Sequence, residues 1–283
     1  WSQNGSALSA LIAAGIVFVS GRYDVIFLFS TLPYILNLFL MLSYPRELDG
    51  TVRESGSLAE SLAIVRQSLK LTFMNTGALR ATTNVCIYDG FYNAVKDFLQ
   101  PIVKSLALAL PLLAFLAEKQ RSAVLIGIVY FGIYLLTSQA SRHSGAFAGR
   151  FAELTSPLNR TMVAGFGLGL LCGLAYLLGY NLAAVVLFTG IFVIQNLRSP
   201  LSVTYVCDSV PYEILATSLS VRSLVTALYT AVMAFAVGVL ADHLGLGPAL
   251  MIIALALTML APLYLVRAGD RPSYCDDAGR RDP

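Results

Sequence analysis

Charge is what this sequence has least of. Acidic and basic side chains make up 12% of its 283 residues against 57% hydrophobic, and the mean hydropathy is +0.73. Soluble domains carry about 25% charged residues, so one aqueous core cannot hide this much apolar surface, and lipid is the expected solvent. Histidine is almost missing, with only His143 and His243, both read as loop or helix-end residues. The four cysteines, Cys86, Cys172, Cys207 and Cys275, stand far apart without a CxxC pair, which argues against a disulfide framework or a metal cage. No Ser-His-Asp grouping, paired carboxylates or metal-ligand spacing emerges, so an enzyme, a metal or a prosthetic cofactor is not expected. The net charge of +3 is too small to suggest nucleic acid as a partner. No basic n-region or cleavage site precedes the first apolar stretch, so it does not read as a signal peptide.

What is present is a series of apolar runs. Eight segments approach the ~20 residues that cross a bilayer as a helix: 6–20, 25–44, a complex region from 79 to 116, 122–138, 162–180, 182–197, 215–240 and 249–266. The fold class expected is therefore all-α, a polytopic helical membrane protein. Short joints such as 179–181 predict antiparallel neighbours. Basic residues then orient the spans. Arg46, Arg53, Arg66, Lys70, Arg80, Arg142, Arg150, Arg160, Arg198, Arg222, Arg267, Arg271, Arg280 and Arg281 fall on one side, against Arg22, Lys119 and Arg121 on the other. The positive-inside rule makes the richer side cytoplasmic, with both ends of the chain there. Counting 79–116 as two spans would reverse the tail, so it is taken as one crossing, broken or extended near Pro101.

Between the second and third spans the chain is polar. Ser57-Leu-Ala-Glu60 matches a capping box, in which the two side chains satisfy each other's orphan amides. Leu58, Leu62, Val65, Leu69 and Phe73 follow at helical spacing, predicting an amphipathic helix on the cytoplasmic membrane face. The expected division is thus two helices over 1–44, a linker over 45–78, a six-helix bundle over 79–267 and a tail over 268–283.

Two cytoplasmic segments carry more specific patterns: Gly149, Arg150 and Glu153 followed by Arg160, and Arg198 with Pro200, Asp208, Glu213 and Arg222. The seventh span ends with Gly238, Asp242 and Gly245, and the first ends similarly at Gly15, Gly21 and Arg22. In these features the chain resembles the major facilitator superfamily of secondary transporters, whose loop signature places an acidic residue four positions after a glycine and basic residues before the next helix. Glu153 stands where Asp is commoner, and the second glycine and paired basic residues are missing. The resemblance implies the last two helices of a first six-helix half followed by a complete second half, so that the chain is expected to be a piece of a longer protein of twelve spans. It implies alternating access between two bundles, driven by an ion gradient without a prosthetic group. Cytoplasmic ion pairs of Glu153 with Arg150, Arg160 or Arg222 would close the inner side. The bacterial inner membrane is the expected location, and the rival expectation is a polytopic scaffold or intramembrane enzyme.

Charges within spans are expensive and mark candidate sites. Asp89, Asn93, Lys96 and Gln100 recur at i, i+4, i+7 and i+11, one helical face, flanked by Tyr88 and Tyr92. If the third span crosses here, the stripe lines a central cavity. Asp89 would then bind a proton or sodium, and Lys96 would pair with it or hold an anionic small molecule. If the more apolar window 98–117 is the span, Asp89 and Lys96 lie at the cytoplasmic surface. Tyr130 and Tyr134 are weaker cavity candidates, and Gln195 and Asn196 read as helix-end residues. Gly165, Gly169 and Gly173 form a small-residue stripe that lets two helices approach closely, either as a sliding surface or as static packing.

Overall fold

The computed structural model describes residues 2–45, 66, 76–109, 115–208 and 215–267. Among these the chain is helical, without a strand. Ten α-helices follow one another: α1 (Ser2–Ser20), α2 (Asp24–Leu42), α3 (Thr76–Val95), α4 (Leu99–Ala109), α5 (Glu118–Arg142), the short α6 (Ser144–Ala148), α7 (Thr155–Leu177), α8 (Asn181–Asp208), α9 (Leu215–Leu244) and α10 (Leu246–Tyr264). Seven of them, all but α3, α4 and α6, are long and apolar enough to cross a membrane. The amphipathic helix expected over 57–73 lies outside the described residues except for Arg66, as does the tail beyond Arg267.

Among the described residues seven of the eight expected spans are met by helices long and apolar enough to cross a membrane, and the third segment is the informative exception. The third segment is a 20-residue helix, a three-residue 3₁₀ turn (Lys96–Phe98) and an 11-residue helix. The break falls one turn before Pro101, which has no N–H to return to the Asp97 carbonyl and crowds it. α3 is less apolar than those seven, and other helices of the protein surround it. Val85, Cys86, Tyr88, Phe91 and Val95 are all 0% exposed, and α3 packs against α7, α8, α9 and α10. A helix so enclosed can carry Asn84 and Asp89 at depths where a lipid-facing helix could not.

Close helix contacts are made at small residues, as expected where packing rather than water drives association. A Cβ on Gly173 would lie 2.6 Å from the Gly247 carbonyl and 2.9 Å from the Met251 amide of α10. Gly169 sits against Phe91 and Ala254, and Gly165 lies beneath the Tyr88 ring. The rings of Tyr88, Phe91 and Phe166 meet with centroids 5.2–6.2 Å apart. Gly90 brings α3 onto the α9 backbone at Thr230, and Gly127 brings α5 onto Ala10 and Ala14 of α1. The expected stripe is thus a packing surface on two helices at once. Gly238 is different: among the described residues nothing lies within 4 Å of its Cβ position, so none of them makes the close contact expected there. Asp242 is exposed near the end of α9, and Gly245, at φ 88°, makes the turn into α10.

Large apolar side chains face outward around the molecule. α2 has no buried residue, and Phe27, Phe235 and Met259 are 78%, 75% and 71% exposed. Patches of this extent are rare on soluble monomers. Long apolar helices with an apolar exterior are compatible with an integral, multi-pass membrane protein.

Candidate functional site

A polar cleft of about 820 Å³ opens between α3, α8 and α9. α3 supplies Asp89 and Asn93, and the 3₁₀ turn adds Lys96 and Asp97. α8 supplies Gln195, and α9 supplies Arg222 with a ladder of Ser223, Thr226 and Thr230. At its base Arg222 Nη2 donates to Asp89 Oδ2 at 2.8 Å, with side chains only 13% and 11% exposed. Burying two charges costs more than their attraction returns unless further hydrogen bonds complete them. Gln195 Nε2 donates to Asp89 Oδ1 at 3.0 Å, and Arg222 Nη2 also donates to Ser202 Oγ at 3.1 Å. Three helices therefore converge on one carboxylate. The other Gln195 amide atom, Oε1, is buried without a hydrogen-bond partner among the described residues.

Beside the cleft lies a second guanidinium. Arg198 is fully buried. Its Nη2 donates to the Asn84 carbonyl at 2.9 Å and to Asn84 Oδ1 at 2.5 Å, and its Nη1 donates to the Leu158 carbonyl and to Thr161 Oγ1. Its face lies 5.0 Å from the Tyr88 ring centroid, a geometry that attracts a cation. Asn84 also donates to the Tyr264 carbonyl and to Asn159, which in turn clasps the Val266 backbone. Arg198 thus ties α3, α7 and α8 together, and the asparagines add α10. It reads as a structural clamp.

The expected stripe on α3 is only partly brought together. Asp89, Asn93 and Lys96 share the cleft, but Lys96 Nζ donates to Asn93 Oδ1 at 3.3 Å and makes no ion pair with Asp89. The expected Lys96 partner is replaced by Arg222. Gln100 leaves the stripe: it lines smaller cavities on the α1 and α5 side, near Tyr23 and Tyr130. Three residues turning at 120° instead of 100° rotate the following helix by about 60°, enough to move Gln100 off the Asp89 face. Tyr92 stacks edge-on against Phe192 at 5.2 Å, and Tyr130 and Tyr134 join that cluster.

The expected cytoplasmic ion pairs of Glu153 are not formed. Glu153 accepts a hydrogen bond from Thr155 at 3.2 Å, and among the described residues it pairs with none of Arg150, Arg160 or Arg222. Arg160 instead sits over the Phe151 ring at 5.1 Å, and Gly149 and Arg150 are exposed after α6. Arg198, read from sequence as a charge beyond the sixth span, lies inside α8, and Arg222, read as a cytoplasmic charge of the seventh span, lies inside α9. For Arg198 the reason is helix length: α8 runs through Pro200 to Asp208, well past the expected end at 197.

Sequence reading passed over Asn84 and Ser202 and gave Gln195 a minor role. Their common signal is a polar residue inside an otherwise helical, apolar run. No family model and no curated protein matches this chain.

Proposed function

We propose that this protein is a secondary active transporter of a small solute, working by alternating access on the major-facilitator plan, with Asp89 as its coupling carboxylate. The observation that carries the reading is a buried ion pair, Asp89–Arg222, at the base of a roomy polar cleft inside a bundle of apolar helices. Small-molecule sites lie in the same range of volume, about 300–1,000 Å³. Intramembrane charges that face a cavity are default candidates for ion pathways. A proton or sodium ion bound at Asp89 would cancel the charge that holds Arg222. Arg222 would then be free to change partners, so that occupancy by the ion and the packing of α9 on α3 are linked. On this reading the seven apolar helices and the α3–α4 segment make eight crossings, in a bacterial inner membrane. Residues 2 and 267 then both face the cytoplasm, where the basic loops lie. The partners are lipid, a small solute and one of these two cations.

The test is uptake of a panel of labelled small solutes into vesicles carrying the protein, with and without an imposed pH or sodium gradient. Gradient-driven accumulation of at least one solute is expected, and Asp89→Asn should remove it at unchanged protein level. Accumulation by Asp89→Asn equal to that of the parent would take the coupling role away from this carboxylate. No accumulation of any solute under either gradient would count against transport itself.

A further inference from the structure

The 3₁₀ turn that redirects Gln100 also divides the polar groups of the bundle into two sets. Asp89, Lys96, Asp97 and Arg222 line the cleft between α3, α8 and α9. Gln100 lines a different cavity, of about 340 Å³, between α1, α4 and α5, and none of the described residues that line it is charged. Besides Tyr23, whose hydroxyl donates to the Lys119 carbonyl, its polar groups are the hydroxyls of Ser6, Ser9, Tyr130 and Tyr134 and the Gln100 amide. Small residues make the space. Ala10, Ala13 and Ala14 of α1 and Gly127 of α5 form much of the wall. The two helices touch at Gly127, where an added Cβ would lie 3.2 Å from the Ala10 carbonyl.

An adjoining cavity of about 510 Å³ shares Tyr23, Gln100 and Ile126 and reaches the exposed Lys104–Glu118 ion pair. Ser122 lines it at 3% exposure, and its Oγ is buried without a hydrogen-bond partner among the described residues. The charges thus stand at the outer cavity, and the inner one is neutral and rich in hydroxyls.

These groups define what fits. The hydroxyls of Ser6 and Ser9 donate to the Ser2 and Ser6 carbonyls of their own helix, so toward the cavity they can only accept. The tyrosine hydroxyls and the amide can donate as well as accept. A charged ligand would leave water for a wall without a counter-charge, which is costly. A purely apolar one would strip water from the hydroxyls and return no hydrogen bonds. A ligand with several hydroxyls and no charge avoids both costs. The rings of Tyr130 and Tyr134, 5.9 Å apart, add apolar surface for its carbon skeleton.

We propose that the inner cavity binds an uncharged, polyhydroxylated solute about the size of a monosaccharide, at a site separate from the ionic cleft. This rests on the transporter reading only in calling the ligand cargo.

Equilibrium binding to the purified protein tests it. The probes are glucose and inositol, glucuronate for an added carboxylate, glucosamine for an added ammonium, and cyclohexanol for a ring with a single hydroxyl. Saturable binding of glucose or inositol is expected, with the other three at least about tenfold weaker, a difference of ~1.4 kcal/mol. Tyr134→Phe and Gln100→Leu should each weaken the polyol by roughly three- to tenfold, the loss of one hydrogen bond. Ala13→Leu, which fills the cavity, should abolish binding, and Ala13→Ser should keep it. Absence of saturable binding of both polyols, or glucuronate or glucosamine binding as tightly as glucose, would overturn the proposal. So would unchanged binding in Tyr134→Phe, Gln100→Leu and Ala13→Leu alike. Loss of binding in Thr230→Leu, which narrows the ionic cleft, with Ala13→Leu unaffected, would move the solute to the cleft and overturn it too. Polyol binding without gradient-driven accumulation of any solute would leave this site standing while removing transport. Accumulation of other solutes without polyol binding would overturn the site alone.

Discussion

Arg198 and Arg222 are the same residue type in adjacent helices, yet their geometries make opposite demands. Arg198 uses both terminal nitrogens, in different directions, toward Asn84 on one side and Leu158 and Thr161 on the other. Only a planar fork reaches both, and an ammonium on a flexible stem cannot. Arg222 makes both of its contacts, to Asp89 and Ser202, through Nη2 alone, which a point charge can imitate. Arg198→Lys should therefore lower stability in detergent by about 3 kcal/mol, the range for leaving buried polar groups unpaired. Arg222→Lys should cost less, about 1 kcal/mol, because it keeps a cation paired with Asp89 and leaves no buried charge alone. Thermal unfolding followed by tryptophan-independent helicity checks this ordering, and equal losses would contradict the assignment of clamp and cleft. Neither role was legible in the sequence. Arg198 follows an apolar run that periodicity ends too early, because a helix sheathed by protein can continue through polar residues and through Pro200. Arg222, by contrast, lies inside the expected span 215–240 but is assigned by the charge count to its cytoplasmic end. Asp89 stands out in the sequence as a carboxylate inside an apolar region when the third span is drawn through it, and not when the span is drawn over 98–117. Its partner does not stand out, because Lys96 is close in sequence and Arg222 is distant by 133 positions.

Among elements, the glycine stripe of α7 was visible in the sequence, since a four-residue period survives any uncertainty about helix ends, and Gly165, Gly169 and Gly173 all meet close neighbours. What the stripe meets could only come from the fold. At Gly173 the neighbours are the backbone of α10, which cannot yield, whereas at Gly238 the surroundings are open. Gly173→Ala should destabilise by about 1–3 kcal/mol through overpacking. Gly238→Ala should be neutral or stabilising by up to ~1 kcal/mol, the helix-propensity gain of alanine over glycine. The melting temperatures of the two variants in one detergent decide this, and a loss at Gly238 as large as at Gly173 would show that its open face is covered. The α3–α4 segment teaches the converse lesson. Pro101 signalled an irregularity, but the pattern of Asp89, Asn93, Lys96 and Gln100 assumed an unbroken helix. A single 3₁₀ turn redirects everything after it, and such a turn leaves no periodic trace.

At the scale of the whole molecule, the apolar exterior and the polar cleft make different predictions about access. Cys86 and Cys172 are fully buried, so a membrane-impermeant thiol reagent should leave them largely unmodified. A cysteine introduced at Thr226, on the cleft wall, reports on the cavity instead. Under alternating access the cleft faces each side of the membrane in turn. Thr226→Cys should then be labelled in both right-side-out and inverted vesicles, at different rates. Adding Asp89→Asn removes the charge that engages Arg222 and so the tie between α3 and α9, and should change the ratio of the two rates by severalfold. A rigid scaffold with the same cleft would label from one side only, and the Asp89→Asn change would not alter that side. Cys207, half-buried near the end of α8, provides the internal control, because its exposure depends on helix position and not on the cleft. Labelling of Thr226→Cys confined to one vesicle orientation, with Asp89→Asn present or absent, would separate the ion pair from any conformational cycle. It would leave Asp89 and Arg222 as a structural pair in a membrane protein of another kind.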